Sequence, residues 1–372
     1  MTKTEIQDKI VNHLPLKPYG LLKQAPRVGK GRILCNTIKR NEPKSVLWVT
    51  LSTKLRDEDI PKEIKTWIGE DYLSKIKIIC YPSLSNLEGE YEMVILDEYQ
   101  EITSLNTQNL LNGKIKFDYI VGASGSHPKH YEKKLILGSL GLTKTLDEIS
   151  IDKAVDLKLI APYTITTVPV DLDNSKRNIL AGSSKKPFYQ TEKANYEYLT
   201  KVINKKHEEG EESFYLRIKR RNLILNSETK IEMARNLLNN LEGRTIIFSG
   251  NTEIAEKLSP YTYNYKTDDT NLKKFINKEI NQLSLVNSGG VGFTYENVDN
   301  LIIVQTDSNK KGNITQKIAR SLLYQKDFHA NIYIIYIKGT VDEEWYNKAL
   351  SEFNANKIIE LEKYEFSNKS RN

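Results

Sequence analysis

Apolar and β-branched residues fall in short runs, separated by longer stretches with helical spacing. Runs at Leu21–Gln24, Ser45–Leu51, Ile76–Tyr81, Met93–Asp97 and Tyr119–Ala123 predict strands. MVILD and YIVGA are apolar on consecutive positions, the pattern of strands covered on both faces. Asp59–Ile68 carries helical spacing between two such runs. Strands alternating with helices predict an α/β fold built on a wound, mostly parallel sheet. From 171 to 215 the pattern gives way to polar, Lys-rich stretches without strong periodicity. Alternation resumes at Thr245–Ser249, Leu283–Asn287, Leu301–Thr306 and Asn331–Ile337. Two similar halves predict two lobes, 1–155 and 156–355, the second with an added polar segment near 171–222. Residues 356–372 read as a polar C-terminal tail, and Asp342, Glu343 and Glu344 as the solvated face of a helix.

Composition narrows this little. A length of 372 residues with 39% hydrophobic residues suits two domains with real cores. No apolar run approaches the roughly 18 residues of a membrane span. The charged, amphipathic N-terminus does not read as a signal peptide. Cys35 and Cys80 are too few for a disulfide framework or a structural zinc site. These features predict a soluble protein of a reducing compartment, without membrane or structural metal; the expected setting, which composition does not fix, is a monomer in the cytoplasm of a bacterial or phage-infected cell. The net charge of +7 is compatible with a polyanionic partner without requiring one. Its distribution is more telling, since LRIKRRN concentrates Arg217, Lys219, Arg220 and Arg221, either as a nucleic-acid contact or, equally, as a solvated strand or loop edge.

The chemistry begins where the first strand, LLKQ, runs into Ala25, Pro26, Arg27, Val28, Gly29, Lys30, Gly31 and Arg32. A loop ending in Gly-Lys between a strand and a helix is a phosphate cradle: backbone N–H groups face the β-phosphate and the lysine reaches outward. The usual pattern is G-x-x-x-x-G-K-[ST]. Here Gln24 stands at the first glycine, and Gly31 at the hydroxyl residue that would hold magnesium. Asp97 and Glu98 close a second buried strand, at the edge where open α/β sheets bind ligands. Asp97 is expected to hold Mg2+, and Glu98 to orient and deprotonate the attacking water.

With these elements in place the chain resembles the superfamily 2 helicases and translocases, nearest the Swi/Snf-like and phage DNA-helicase branches. The resemblance implies two RecA-like lobes with an ATP cleft between them. It makes Gln100 of Asp97-Glu98-Tyr99-Gln100 a coupling residue, and Ser124 of YIVGASGSHPK part of a hinge that senses the nucleotide. In the second half, RTIIFSGNTEIAEKL, LSLVNSGGVGFTYENVDNLIIVQTD and ITQKIARSLL resemble the fourth, fifth and sixth motifs. Gly290 and Gly292 would allow close backbone approach to nucleotide or nucleic acid. Gln316 and Arg320 match the sixth motif, with Arg320 as the arginine finger; Leu323 falls where a second arginine is usual. Gln7 is the expected adenine-reading glutamine, with Tyr19 as the alternative near the base. Thr50, Ser52 and Arg56 in the first lobe, and Ser249, Lys266 and Ser288 in the second, would contact the nucleic-acid backbone, joined by Arg217, Arg220 and Arg221.

The expectation is an ATP- and Mg2+-dependent DNA helicase or translocase acting on single-stranded, duplex or branched DNA in replication, recombination or repair. RNA as substrate is the alternative within that class. Gly31 and Leu323 keep open a nucleic-acid-binding module with a degraded ATPase site. A packaging motor with a fused nuclease would need a C-terminal carboxylate cluster, which the solvated 342–344 stretch does not supply.

Overall fold

The structure, a computed structural model, describes residues 1–364 except Ser126, His127, Lys129, Ser184, 287–296, 306–313, 315–316, 319–321, 323, 325–327 and Glu352. The chain divides into two compact units, Met1–Ile160 and Ala161–Asn372. Among the described residues no helix is long and apolar enough to cross a membrane.

The first lobe contains β1 (Gly20–Gln24), β2 (Val46–Thr50), β3 (Ile76–Cys80), β4 (Gly89–Asp97), β5 (Ile115–Ser124) and β6 (Thr145–Ile149). They form one parallel sheet in the order β3-β2-β4-β5-β1-β6. The apolar runs read as strands are its inner members: Val46–Val49 and Met93–Leu96 are buried throughout. β6 escapes the hydrophobic pattern because it is an edge strand, TLDEI, with one buried position.

Parallel strands cannot be joined by hairpins, so the chain crosses back through helices. Two of these crossover helices, α2 (Lys30–Asn41) and α3 (Ile60–Trp67), shape the site together with α1 (Lys3–His13), which precedes β1. α1 opens with a reciprocal capping box between Thr2 and Glu5. α2 buries Ile33, Leu34, Cys35 and Ile38 on one face. Each such side chain contributes about 1.5–3 kcal/mol of apolar burial.

The second lobe contains β7 (Tyr163–Val170), the hairpin strands β8 (Ile179–Ser183) and β9 (Lys186–Gln190), β10 (Thr245–Ser249), β11 (Thr262–Tyr263), β12 (Gln282–Val286), β13 (Asn300–Ile303), β14 (Ala330–Ile337) and β15 (Ile358–Glu360). All but the hairpin pair form a parallel sheet, in the order β11-β12-β10-β13-β14-β7-β15. β8 and β9 pair antiparallel with each other.

Four expectations change here. Residues 358–360, placed in the tail, pair with β7 as an edge strand, because Ile165, Thr166 and Thr167 of β7 would otherwise lack partners on that side. The polar segment after 171 contains a 17-residue helix, Glu192–Glu208, held by Tyr196, Leu199 and Ile203. The basic run lies on a further helix, Phe214–Leu225, not on a strand or loop edge. Asp342 begins a helix, Val341–Leu350, but is buried, not solvated: its Oδ2 accepts from Lys230 Nζ (2.7 Å) and from the Ile337 N–H (3.0 Å).

Candidate nucleotide site and nucleic-acid surface

β4, β5 and β1 are neighbours, so their C-terminal ends lie side by side. Lys23 pairs in register with Ser124, and Asp97 with Ala123. The phosphate loop, the Asp-Glu pair and Ser124 therefore share one sheet edge.

The loop is pinned at both ends. The Ala25 N–H donates to the Ile149 carbonyl (2.8 Å), tying the loop to β6. The Val28 N–H donates back to the Ala25 carbonyl (3.3 Å), closing a turn around Arg27, at φ +71°. Gly29 caps α2 at φ +98°, in the left-handed region open to glycine. A Cβ there would fall on Gln7 Nε2, so α1 lies against the loop. The α2 N-terminus, with Lys30 as its first residue, faces the loop and supplies the favourable dipole end for an anion.

Gln7 is buried beside the loop. Its Nε2 donates to the Val28 carbonyl (2.6 Å), and its Oε1 accepts from Arg32 Nη1 (2.6 Å). Arg32 also pairs with Asp8 (2.8 Å) and packs over the Trp67 ring. The structure thus places Gln7 as a brace between α1 and the loop, and Arg32 as the anchor of that brace. Tyr19 donates its hydroxyl to the Leu140 carbonyl (2.7 Å).

The acidic pair lies across from Lys30. Glu98 adopts φ +55°, ψ +51°, a sparsely populated backbone conformation for a residue with a side chain. Its Oε1 forms an ion pair with Lys30 Nζ, and its Oε2 accepts from Gln100 Nε2 (2.9 Å). Gln100 Oε1 in turn accepts from the Ser124 hydroxyl, and its carbonyl from Lys133 Nζ. Lys30, Glu98, Gln100 and Ser124 are thus joined in one polar chain across three strand ends. Tyr81 donates its hydroxyl to the Asp97 carbonyl (3.1 Å). Burial, then the neighbouring Glu98 charge, pushes the Asp97 carboxyl up to about 7; Lys30 draws it down and Glu63 pushes it further up.

Position 31 is crowded despite being glycine: a Cβ there would fall on the carboxylate of Glu63, from α3. Nothing in the motif spacing singled out Glu63. Carboxylate oxygens suit Mg2+, a hard cation. No group of three or more His, Cys, Asp or Glu side chains that could cage a metal exists among the described residues. One or two carboxylates completed by substrate phosphates is the usual magnesium arrangement, and this donor set fits it.

The expected nucleic-acid contacts divide. Thr50 and Ser249 are buried at strand ends, and the Ser249 hydroxyl bonds that of Ser284 (3.0 Å). In the described structure neither is at the surface, where a phosphate would meet it. Ser52 accepts from the Leu55 N–H (3.3 Å) at the start of the turn leading into α3. Arg56 is held by both oxygens of Asp57 (2.6 and 2.8 Å). Lys266 lies over the exposed ring of Tyr265. On the basic helix, Arg217 reaches Ser213 (3.1 Å), while Arg220 reaches Thr200 (3.2 Å) and packs against Tyr196. Arg221 is on the same helix. Ser288, Gly290, Gly292, Gln316, Arg320 and Leu323 lie outside the described residues.

Compared with known proteins, the chain matches no family model. It is 25% identical over 298 residues to a DNA 3'-5' translocase, XPB2, of Sulfurisphaera tokodaii, an alignment covering 74% of this chain. The chain spans 66% of that protein's length. Among solved structures it resembles the Hef helicase domain of Pyrococcus furiosus, with TM-score 0.54, 12% identity, and 93% of this chain and 97% of that one covered. It also resembles the ATP-dependent Type ISP restriction-modification enzyme LlaBIII bound to DNA, with TM-score 0.57, 12% identity, and 94% of this chain and 29% of that one covered. In sequence the chain is thus similar to a DNA translocase, and its fold is that shared by the Hef helicase domain and LlaBIII.

Proposed function

We propose that this chain is an ATP-dependent DNA translocase or helicase. The observation that carries the reading is the polar chain Lys30–Glu98–Gln100–Ser124 on one sheet edge, with the phosphate loop and Asp97 beside it. ATP phosphates accept hydrogen bonds from the loop N–H groups and the α2 N-terminus. A γ-phosphate competes for Lys30 and draws it from Glu98. The freed carboxylate then takes a proton from the attacking water as its oxygen bonds to phosphorus and the bond to the β-phosphate oxygen breaks, leaving ADP and inorganic phosphate. Asp97 would hold Mg2+, which neutralises phosphate charge when bound. Gln100 and Ser124 register the change at Glu98 through the bonds they share with it. Arg320 and Gln316 are assigned to the developing γ-phosphate charge.

The translocase relative supports DNA as the track; we assign to it Ser52 and Arg56 in the first lobe and, separately in the second, Lys266 and the basic helix carrying Arg217, Arg220 and Arg221. Such contacts hold the backbone without reading sequence. We extend the reading to a monomer acting on branched or duplex DNA in replication, recombination or repair. The test is steady-state ATP turnover without nucleic acid and with single-stranded DNA, duplex DNA or RNA. DNA is expected to raise turnover at least about tenfold, more than RNA does. Nucleotide binding without turnover in all four conditions would establish instead a degraded ATPase site.

A further inference from the structure

Gly31 removes the hydroxyl that a phosphate loop ordinarily offers to magnesium, yet the space beside it is filled. α3 is seated by Ile60 and Ile64, both buried, and begins with a wide turn over Leu55–Asp59 followed by Pro61. That seating carries Glu63 onto the position a residue-31 side chain would occupy. Among the described residues Glu63 has no hydrogen-bond or ion-pair partner. The charged groups acting on it are Asp59, which disfavours its ionised form, and Lys3, which favours it; it acts in turn on Cys35 and Asp97. Burial is the largest influence on it and pushes its carboxyl up. Glu63 is half-buried, so its carboxylate stands beside the loop with oxygens a cation can use.

We propose that Glu63 replaces the missing hydroxyl of position 31 and supplies an oxygen ligand to the Mg2+ that accompanies the nucleotide. The inference rests on the nucleotide-site reading above. A carboxylate differs from a hydroxyl by a full negative charge. Without the metal it repels the phosphates; with the metal it helps hold them. Nucleotide binding should therefore depend on Mg2+ more steeply than in a loop ending in Ser or Thr. The two positions are also coupled sterically: a side chain at 31 would have to displace the Glu63 carboxylate from where it stands.

The test is ADP affinity of the full chain with Mg2+ and with EDTA, alongside Mn2+ binding followed by electron paramagnetic resonance in the presence of ADP. In Glu63→Gln, affinity for ADP with Mg2+ should fall at least about tenfold, and Mn2+ affinity by a similar factor, the scale expected when a metal site loses part of its support. Metal-free ADP affinity should hold or improve. The double variant Gly31→Ser with Glu63→Ala should recover most of the metal dependence and serves as the control should the single variant fold poorly. ADP binding that tightens equally with and without Mg2+ in Glu63→Gln would show a carboxylate that merely blocks the loop, and would overturn the inference alone. A wild-type protein that binds no nucleotide would overturn the site reading, and the inference with it.

Discussion

Each lobe contains a lysine–carboxylate pair, and the two pairs behave as opposites. In the second lobe Lys230 and Asp342 are 1% and 0% exposed, and Asp342 Oδ2 also accepts a backbone N–H. In the first, Lys30 and Glu98 keep 17% and 19% exposure, and Glu98 is held from its other side by a side-chain amide. The second-lobe pair is closed on itself and ties the helices Glu228–Asn240 and Val341–Leu350 into the core. The first-lobe pair stands at a sheet edge beside a helix N-terminus, on a backbone in a disfavoured conformation, where an anion can part it. On the proposed reading, the same two kinds of group serve cohesion where water and ligand are excluded, and chemistry where an anion can enter.

The largest separation between the two should come from Lys30→Ala. ATP turnover is expected to fall at least about 10²-fold, because the phosphates lose their point charge. The unfolding free energy should move by no more than about 1 kcal/mol, since a partly exposed pair contributes little. Turnover assays with urea denaturation measure both.

Asp342→Ala should do the reverse. It strands a buried ammonium and is expected to cost about 3–5 kcal/mol in urea denaturation, while turnover per folded molecule stays near wild type. Replacing both partners with Lys230→Met and Asp342→Leu should restore most of that loss. A stability unchanged by Asp342→Ala would erase the contrast between the lobes.

A smaller effect sharpens the first-lobe side. The Asp97 carboxyl is held up to about 7, above its unfolded value near 4. Between about pH 4 and 7 the folded lobe keeps a proton that the unfolded chain releases. The associated stability is therefore complete below about pH 4 and is lost as pH rises through about 7, an effect on the order of 1–3 kcal/mol. Urea melts in EDTA without nucleotide should show this slope, and Asp97→Asn should flatten it.

Much of this was legible in the sequence where one physical signal dominated. Strands buried on both faces announce themselves as consecutive apolar runs, as β2 and β4 do. A glycine–lysine loop before a helix and an acid pair after a buried strand name their chemistry by residue type. Edge strands do not: β6 (TLDEI) is largely polar and β15 (IIE) is only three residues long, and pairing rather than composition makes them strands. Nor does sequence separate a buried Asp342 from its solvated neighbours, because its burial is set by Lys230, 112 residues away. Glu63 stayed hidden for the same reason, since only the packing of α3 against α2 brings it to Gly31. Gln7 was singled out for a base and is found bracing the loop, an outcome that required knowing where α1 lies.

The claim that the Lys30–Glu98 pair is working chemistry is tested most directly in Glu98→Gln. Nucleotide affinity and thermal stability should remain close to wild type, while DNA-stimulated ATP turnover falls by about 10²–10⁴-fold, the contribution of a positioned general base. Turnover unchanged in that variant would contradict the account.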